Sequence, residues 1–128
     1  MAHPLVDKIV KEGVDSVNVS MLSKDLKKAL LTEAGNVLMH EGRYAQAAKA
    51  FAVGENHDML REEARWFMQQ QRPDIAAWFL LYVEEKQEVL QELAQTCIAV
   101  GDFAAAKAIY EKLGDETMLL FLKENFGV

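Results

Sequence analysis

Large apolar residues return along this chain at a nearly fixed interval: Leu31, Leu60, Leu90 and Leu119 stand 29, 30 and 29 residues apart. Around each of them, apolar positions are spaced by three and four, which is the period of one face of a helix. Leu31, Ala34, Gly35 and Leu38 form the first stripe; Leu60, Ala64, Phe67 and Met68 the second; Leu90, Leu93, Ala94 and Cys97 the third. Each stripe runs into turn chemistry, at Gly42, at Gln71-Arg72-Pro73-Asp74 and at Gly101. A second helix is predicted beyond each turn, over Tyr44 to Val53, Ile75 to about Glu85, and Ala104 to Leu113. The fourth copy, Thr117 to Phe126, has no second helix and reads as a terminal cap ahead of the natural end at Gly127-Val128.

Upstream, Pro4 suits a first helical turn, Leu5, Val6, Ile9 and Val10 form a stripe, and Gly13 supplies a stop. A connector from Val14 leads to a helix cap at Ser20 or Ser23. The expected organisation is an N-terminal helix and connector over 1–22 and a helical repeat domain over 23–128. No stretch alternates as a strand would, so the predicted fold class is all-α, built from about three antiparallel helix pairs.

The copies share more than the leucines. Gly42, Tyr44, Ala47 and Phe51 reappear as Gly101, Phe103, Ala106 and Tyr110, and Met59-Leu60, Val89-Leu90 and Met118-Leu119 match after short polar turns. In the middle copy either Ala76 or Ala77 takes the place of Ala47. This pattern resembles the tetratricopeptide repeat in a short-period variant, over roughly Leu31 to Phe126; the family period is ~34. Leu31, Gly35 and Leu38 match its first helix, and the Gly-aromatic-Ala-aromatic series matches its second. The resemblance implies a right-handed α-solenoid and a non-catalytic scaffold or adaptor that holds another protein in a concave groove.

In that family the first helix of each pair lines the groove. The corresponding positions are Thr32, Asn36, Met39 and His40, then Arg61, Arg65, Met68 and Gln69, then Gln91, Gln95 and Ile98. Arg61 and Arg65, four apart, repel one another unless a carboxylate lies between them, and an acidic peptide would supply it. Glu33, Glu62 and Glu92 are the alternative counter-ions within the chain. The family's carboxylate clamp needs Lys where Thr32 stands, so it is not expected even though Asn36 matches.

Ile75 to Val83 is a run of nine apolar residues with no polar face. Two coverings are open: the N-terminal helix folds over it, or Trp78, Phe79 and Tyr82 form an assembly surface for a homo-oligomer.

The formal charge is −6, which disfavours a nucleic-acid partner because backbone phosphate would be repelled. Residues 1–31 hold five basic and four acidic side chains, a net of +1, whereas residues 32–128 hold nine and sixteen, a net of −7. Lys24, Lys27 and Lys28 concentrate the positive end. Cys97 stands alone, so no disulfide or thiolate cage is expected. His3, His40 and His57 are dispersed, and no nucleophile or phosphate loop is recognisable, so no metal, cofactor or catalytic residue is expected. Without a signal sequence or membrane span, a soluble cytoplasmic protein is expected.

Overall fold

The computed structural model describes residues 3–128. Eight α-helices and one 3-10 turn make up the regular structure, with no strand among the described residues. Contacts divide the chain into two compact units, Met1–Leu60 and Arg61–Val128.

The first unit opens with α1, Pro4–Glu12, whose first free N–H is taken by the cap: Leu5 N–H donates to His3 Nδ1 at 3.0 Å. A 3-10 turn, Val14–Ser16, follows. α2, Lys24–His40, starts at Ser23, whose Oγ accepts from Leu26 N–H at 3.2 Å. Its partner α3, Tyr44–Val53, packs antiparallel to it as a hairpin. Leu31, Ala34 and Leu38 are buried from α2, and Ala47, Ala50 and Phe51 from α3. α1 lies on α2 and the 3-10 turn, burying Val6 and Ile9 there. Arg43 fastens this corner by donating from Nη1 to the Val10 carbonyl at 2.9 Å.

α4, His57–Gln69, begins in the first unit and ends in the second. The second unit continues with α5, Pro73–Leu80, α6, Gln87–Ala99, α7, Phe103–Leu113, and α8, Glu116–Phe126. α6 and α7 form the second hairpin, α5 packs on both, and α8 packs on α7. Leu90, Ala94, Cys97, Ala106, Ile109 and Tyr110 are at the centre of its core.

Three of the helices close in the same way. Arg43 N–H donates to the Leu38 carbonyl at 3.0 Å, Arg72 N–H to Phe67 at 2.8 Å, and Asp102 N–H to Cys97 at 2.9 Å. Each closes a helix with a bond reaching five residues back, which requires a left-handed residue just before the donor. Gly42 (φ 73°) and Gly101 (φ 85°) meet that need without a Cβ; the middle copy uses Gln71 (φ 58°). The exits of α3 and α7 also correspond. Asn56 N–H donates to Phe51 and Asp115 N–H to Tyr110, and each of these side chains then caps the next helix, at Met59 and Met118 N–H.

The middle copy departs from this scheme at its second helix. α5 stops at Leu80, earlier than the predicted Glu85, and the following turn is loose, with 3.5 Å bonds from Tyr82 N–H to Phe79 and from Val83 N–H to Leu80. The carbonyls so released are taken by one side chain of α7. Lys112 Nζ donates to Leu80 at 3.1 Å and to Leu81 and Val83 at 2.7 Å.

Most of the apolar run is therefore buried within its own unit, while Tyr82 stays exposed, so neither of the two coverings left open by the sequence is needed for Ile75 to Ala77 and Phe79. Ile75, Ala76, Ala77 and Phe79 are buried, Phe79 stacks on Phe67 with ring centroids 6.0 Å apart, and Trp78, Leu80 and Leu81 pack on the unit's core. The stripe of α1 is already consumed in the first unit.

Candidate functional site

The residues expected to face a partner divide between the two units. In the first, α2 carries Thr32, Asn36, Met39 and His40; Asn36 and His40 are exposed and Met39 is half-buried. Thr32 is committed internally, its Oγ1 accepting from Asn56 Nδ2 at 2.9 Å. That bond holds the side chain that caps α4.

In the second unit Arg61, Arg65, Met68 and Gln69 are all exposed on α4, and Gln95 is exposed on α6. Gln91 and Ile98 are half-buried, and Ile98 packs on the core. The described ion pairs are Lys27–Glu55, Arg43–Glu41, Lys49–Asp15 and Arg72–Asp74. Neither Arg61 nor Arg65 is among them, so the internal counter-ions weighed from sequence do not engage these arginines. Of the three side chains expected on an assembly surface, Phe79 is fully buried and cannot reach another molecule. Trp78 is half-buried and Tyr82 exposed.

An apolar concavity of the second unit lies beside the expected surface. A cleft of about 470 Å³ is walled by Met68 at the end of α4, Pro73 and Leu80 of α5, and Val89, Leu93 and Val100 on and just past α6. Its size falls within the ~300–1,000 Å³ of ligand and peptide clefts. Three of its walls are open to solvent although they are apolar: Met68 is 49% exposed, Val89 40% and Val100 57%. Such a cluster is costly to leave wet. Polar groups are few. Thr96 spends its hydroxyl on the Glu92 carbonyl at 2.9 Å, which leaves the Glu92 carboxylate as the one charge in the wall.

Met68 is the only predicted residue in this cleft. The others on α6 belong to a different stripe: Val89, Leu93, Thr96 and Val100 follow one another at helical spacing, whereas Gln91, Gln95 and Ile98 lie to the side. On α4, Arg61, Arg65 and Met68 are spaced by four and three and so share a face that leads to the cleft. The signal available in the sequence was Val100, an apolar residue in the turn before Gly101 where the other copies place Glu41 and Gln70.

Cys97 is buried, its Sγ facing the Pro73 carbonyl at 3.9 Å, and burial pushes its thiol up to about 12. The half-buried Glu63 is raised by desolvation and by its neighbour Glu62. Among the described residues no three His, Cys, Asp or Glu side chains gather as a metal site, and no helix is long and apolar enough to cross a membrane.

No family model, no curated protein and no solved structure matches the chain.

Proposed function

We propose that this chain is a non-catalytic protein-interaction scaffold, a tetratricopeptide-like solenoid with three helix pairs and a capping helix, which holds a segment of another protein. The observation that carries the reading is the exposed apolar cleft of Met68, Val89 and Val100 in the second unit. An apolar wall that the chain leaves uncovered gains free energy when an occupant removes it from water, at roughly 25 cal/mol per Å². The repeated turn closures support the repeat reading, because they recur with the period of the sequence pattern.

The occupant is an amphipathic segment with apolar anchors at helical spacing for the cleft. Arg61 and Arg65 continue from Met68 along α4 and give the occupant's acidic end a charged wall. Shape and charge do the work, and no bond is made or broken.

Panning a displayed-peptide library on the wild-type protein, with counter-selection on Val100→Glu, tests this. Peptides with paired apolar anchors should be enriched and should lose binding to Val100→Glu. Arg61→Glu with Arg65→Glu should shift the selected charge from acidic to basic. Enriched peptides that bind Val100→Glu as well as wild type would sink the reading.

A further inference from the structure

The chain carries, in its first unit, an exposed segment with the chemistry the cleft asks for. Met21, in the turn ahead of α2, is 91% exposed, and Leu26, in the first turn of that helix, is 45% exposed. Both are large apolar residues standing in water on one short stretch. Between and beside them are Lys24, Asp25 and Lys28, all exposed. Lys27 is held by Glu55 at 3.2 Å, so the remaining lysines face outward around the apolar pair.

The cleft matches this segment in charge as well as in polarity. On α6, Glu88 precedes the lining Glu92 by one helical turn and so lies on the same face, and the loop before α6 adds exposed Glu84 and Glu85 against Lys86. The face of α4 that leads to the cleft has the opposite sign, through Arg65, and the segment contains an acid, Asp25, for it. At the level of the whole unit, residues 61–128 hold seven basic and twelve acidic side chains, a net of −5. The first 31 residues, which contain the segment, are net +1.

Met21 is almost wholly exposed within a single chain, so its own cleft does not hold it. We infer that the occupant of the cleft is a second copy of this chain: Met21 and Leu26 of one molecule enter the Met68–Val89–Val100 cleft of the next, with Lys24 and Lys28 against Glu88 and Glu92. The inference rests on the cleft being a docking surface, as proposed above. The two surfaces are different, so the contact is head-to-tail, and it builds open chains or closed rings rather than a two-fold dimer. Opposite charges at the rim make it weaken with salt.

The test is light scattering across a wide concentration range at low and high salt, on wild type, Met21→Glu, Val100→Glu and the independent cleft variant Val89→Lys, with helicity checked by circular dichroism. Wild type should grow in mass with concentration and shrink with salt, and each folded variant alone should remain monomeric. Mixing Met21→Glu with Val100→Glu should give a complex of two chains and no larger, because one retains an intact cleft and the other an intact segment. A wild type that stays monomeric throughout overturns the inference, as does a mixture that stays monomeric or a Met21→Glu that assembles like wild type. A monomeric wild type that still binds panned peptides in the cleft overturns only the copy-to-copy inference. Loss of both results removes the cleft reading itself.

Discussion

Gly35 and Phe51 occupy the same space from two helices: a Cβ at Gly35 would stand 2.7 Å from Cδ1 and Cζ of the Phe51 ring. Phe51 is fully buried and cannot swing away. The missing side chain of α2 thus sets how closely α3 approaches, and the equivalent positions of the second hairpin are Ala94 and Tyr110, both buried in its core. Gly35→Ala should cost about 2 kcal/mol through overpacking, only partly offset by about 1 kcal/mol of helix propensity. In a Phe51→Ala background the same change should become stabilising. Urea unfolding of the four proteins reads both signs, and a stabilising Gly35→Ala in the wild-type background would refute the contact.

The middle copy carries a removable strain. Gln71 holds a left-handed conformation at φ 58°, where the neighbouring copies have Gly42 and Gly101. A side chain there costs roughly 1 kcal/mol. Gln71→Gly should therefore raise stability by about 1 kcal/mol, read as a higher denaturant midpoint at unchanged slope. An unchanged or lower midpoint would show that Gln71 makes compensating contacts.

Lys112 replaces the missing end of α5. Its ammonium satisfies three carbonyls that the shortened helix releases, while burial lowers its pKa. Lys112→Met keeps the aliphatic stem and removes the donor, so it should destabilise the second unit by about 1–3 kcal/mol. Hydrogen exchange should accelerate at residues 81–86 first. Protection unchanged there would exclude the capping role.

In the turn between α3 and α4, Glu55 is held below its usual 4.5 by the hydrogen bond from Lys27 and by the charges of Lys27 and Lys24. A folded value below the unfolded one means that the carboxylate's contribution is present above pH 4.5 and is lost as pH falls through the folded value. Lys27→Met should therefore be less stable than wild type near neutrality, and the two should converge in acid. A difference that persists after Glu55 is protonated would place the effect of Lys27 elsewhere.

Much of the helix order was readable because its determinants are local. The stripes at three-and-four spacing, Pro4 at a helix start, Ser23 as a cap and Gly42 and Gly101 as stops all act within a turn of their own position. The end of α5 was not readable, since it depends on Lys112, about thirty residues downstream. The cleft was missed for a related reason. A stripe analysis tells which face of α6 is apolar, but Leu93 is buried while Val89 and Val100 on the same side are exposed, and only the placement of neighbouring helices decides between them. Phe79 shows the converse: in a run without a polar face the pattern leaves open what covers it, and it is buried within its own unit.

The central claim is that the Met68–Val89–Val100 cleft is where this chain meets protein partners. Methyl-resolved NMR of the protein with a panned peptide, assigned at Met68, Val89, Leu93 and Val100, tests it most directly. Shifts concentrated on those four methyl-bearing residues, with Met39 unmoved, are the predicted result. Shifts at Met39 with an undisturbed cleft would contradict the account.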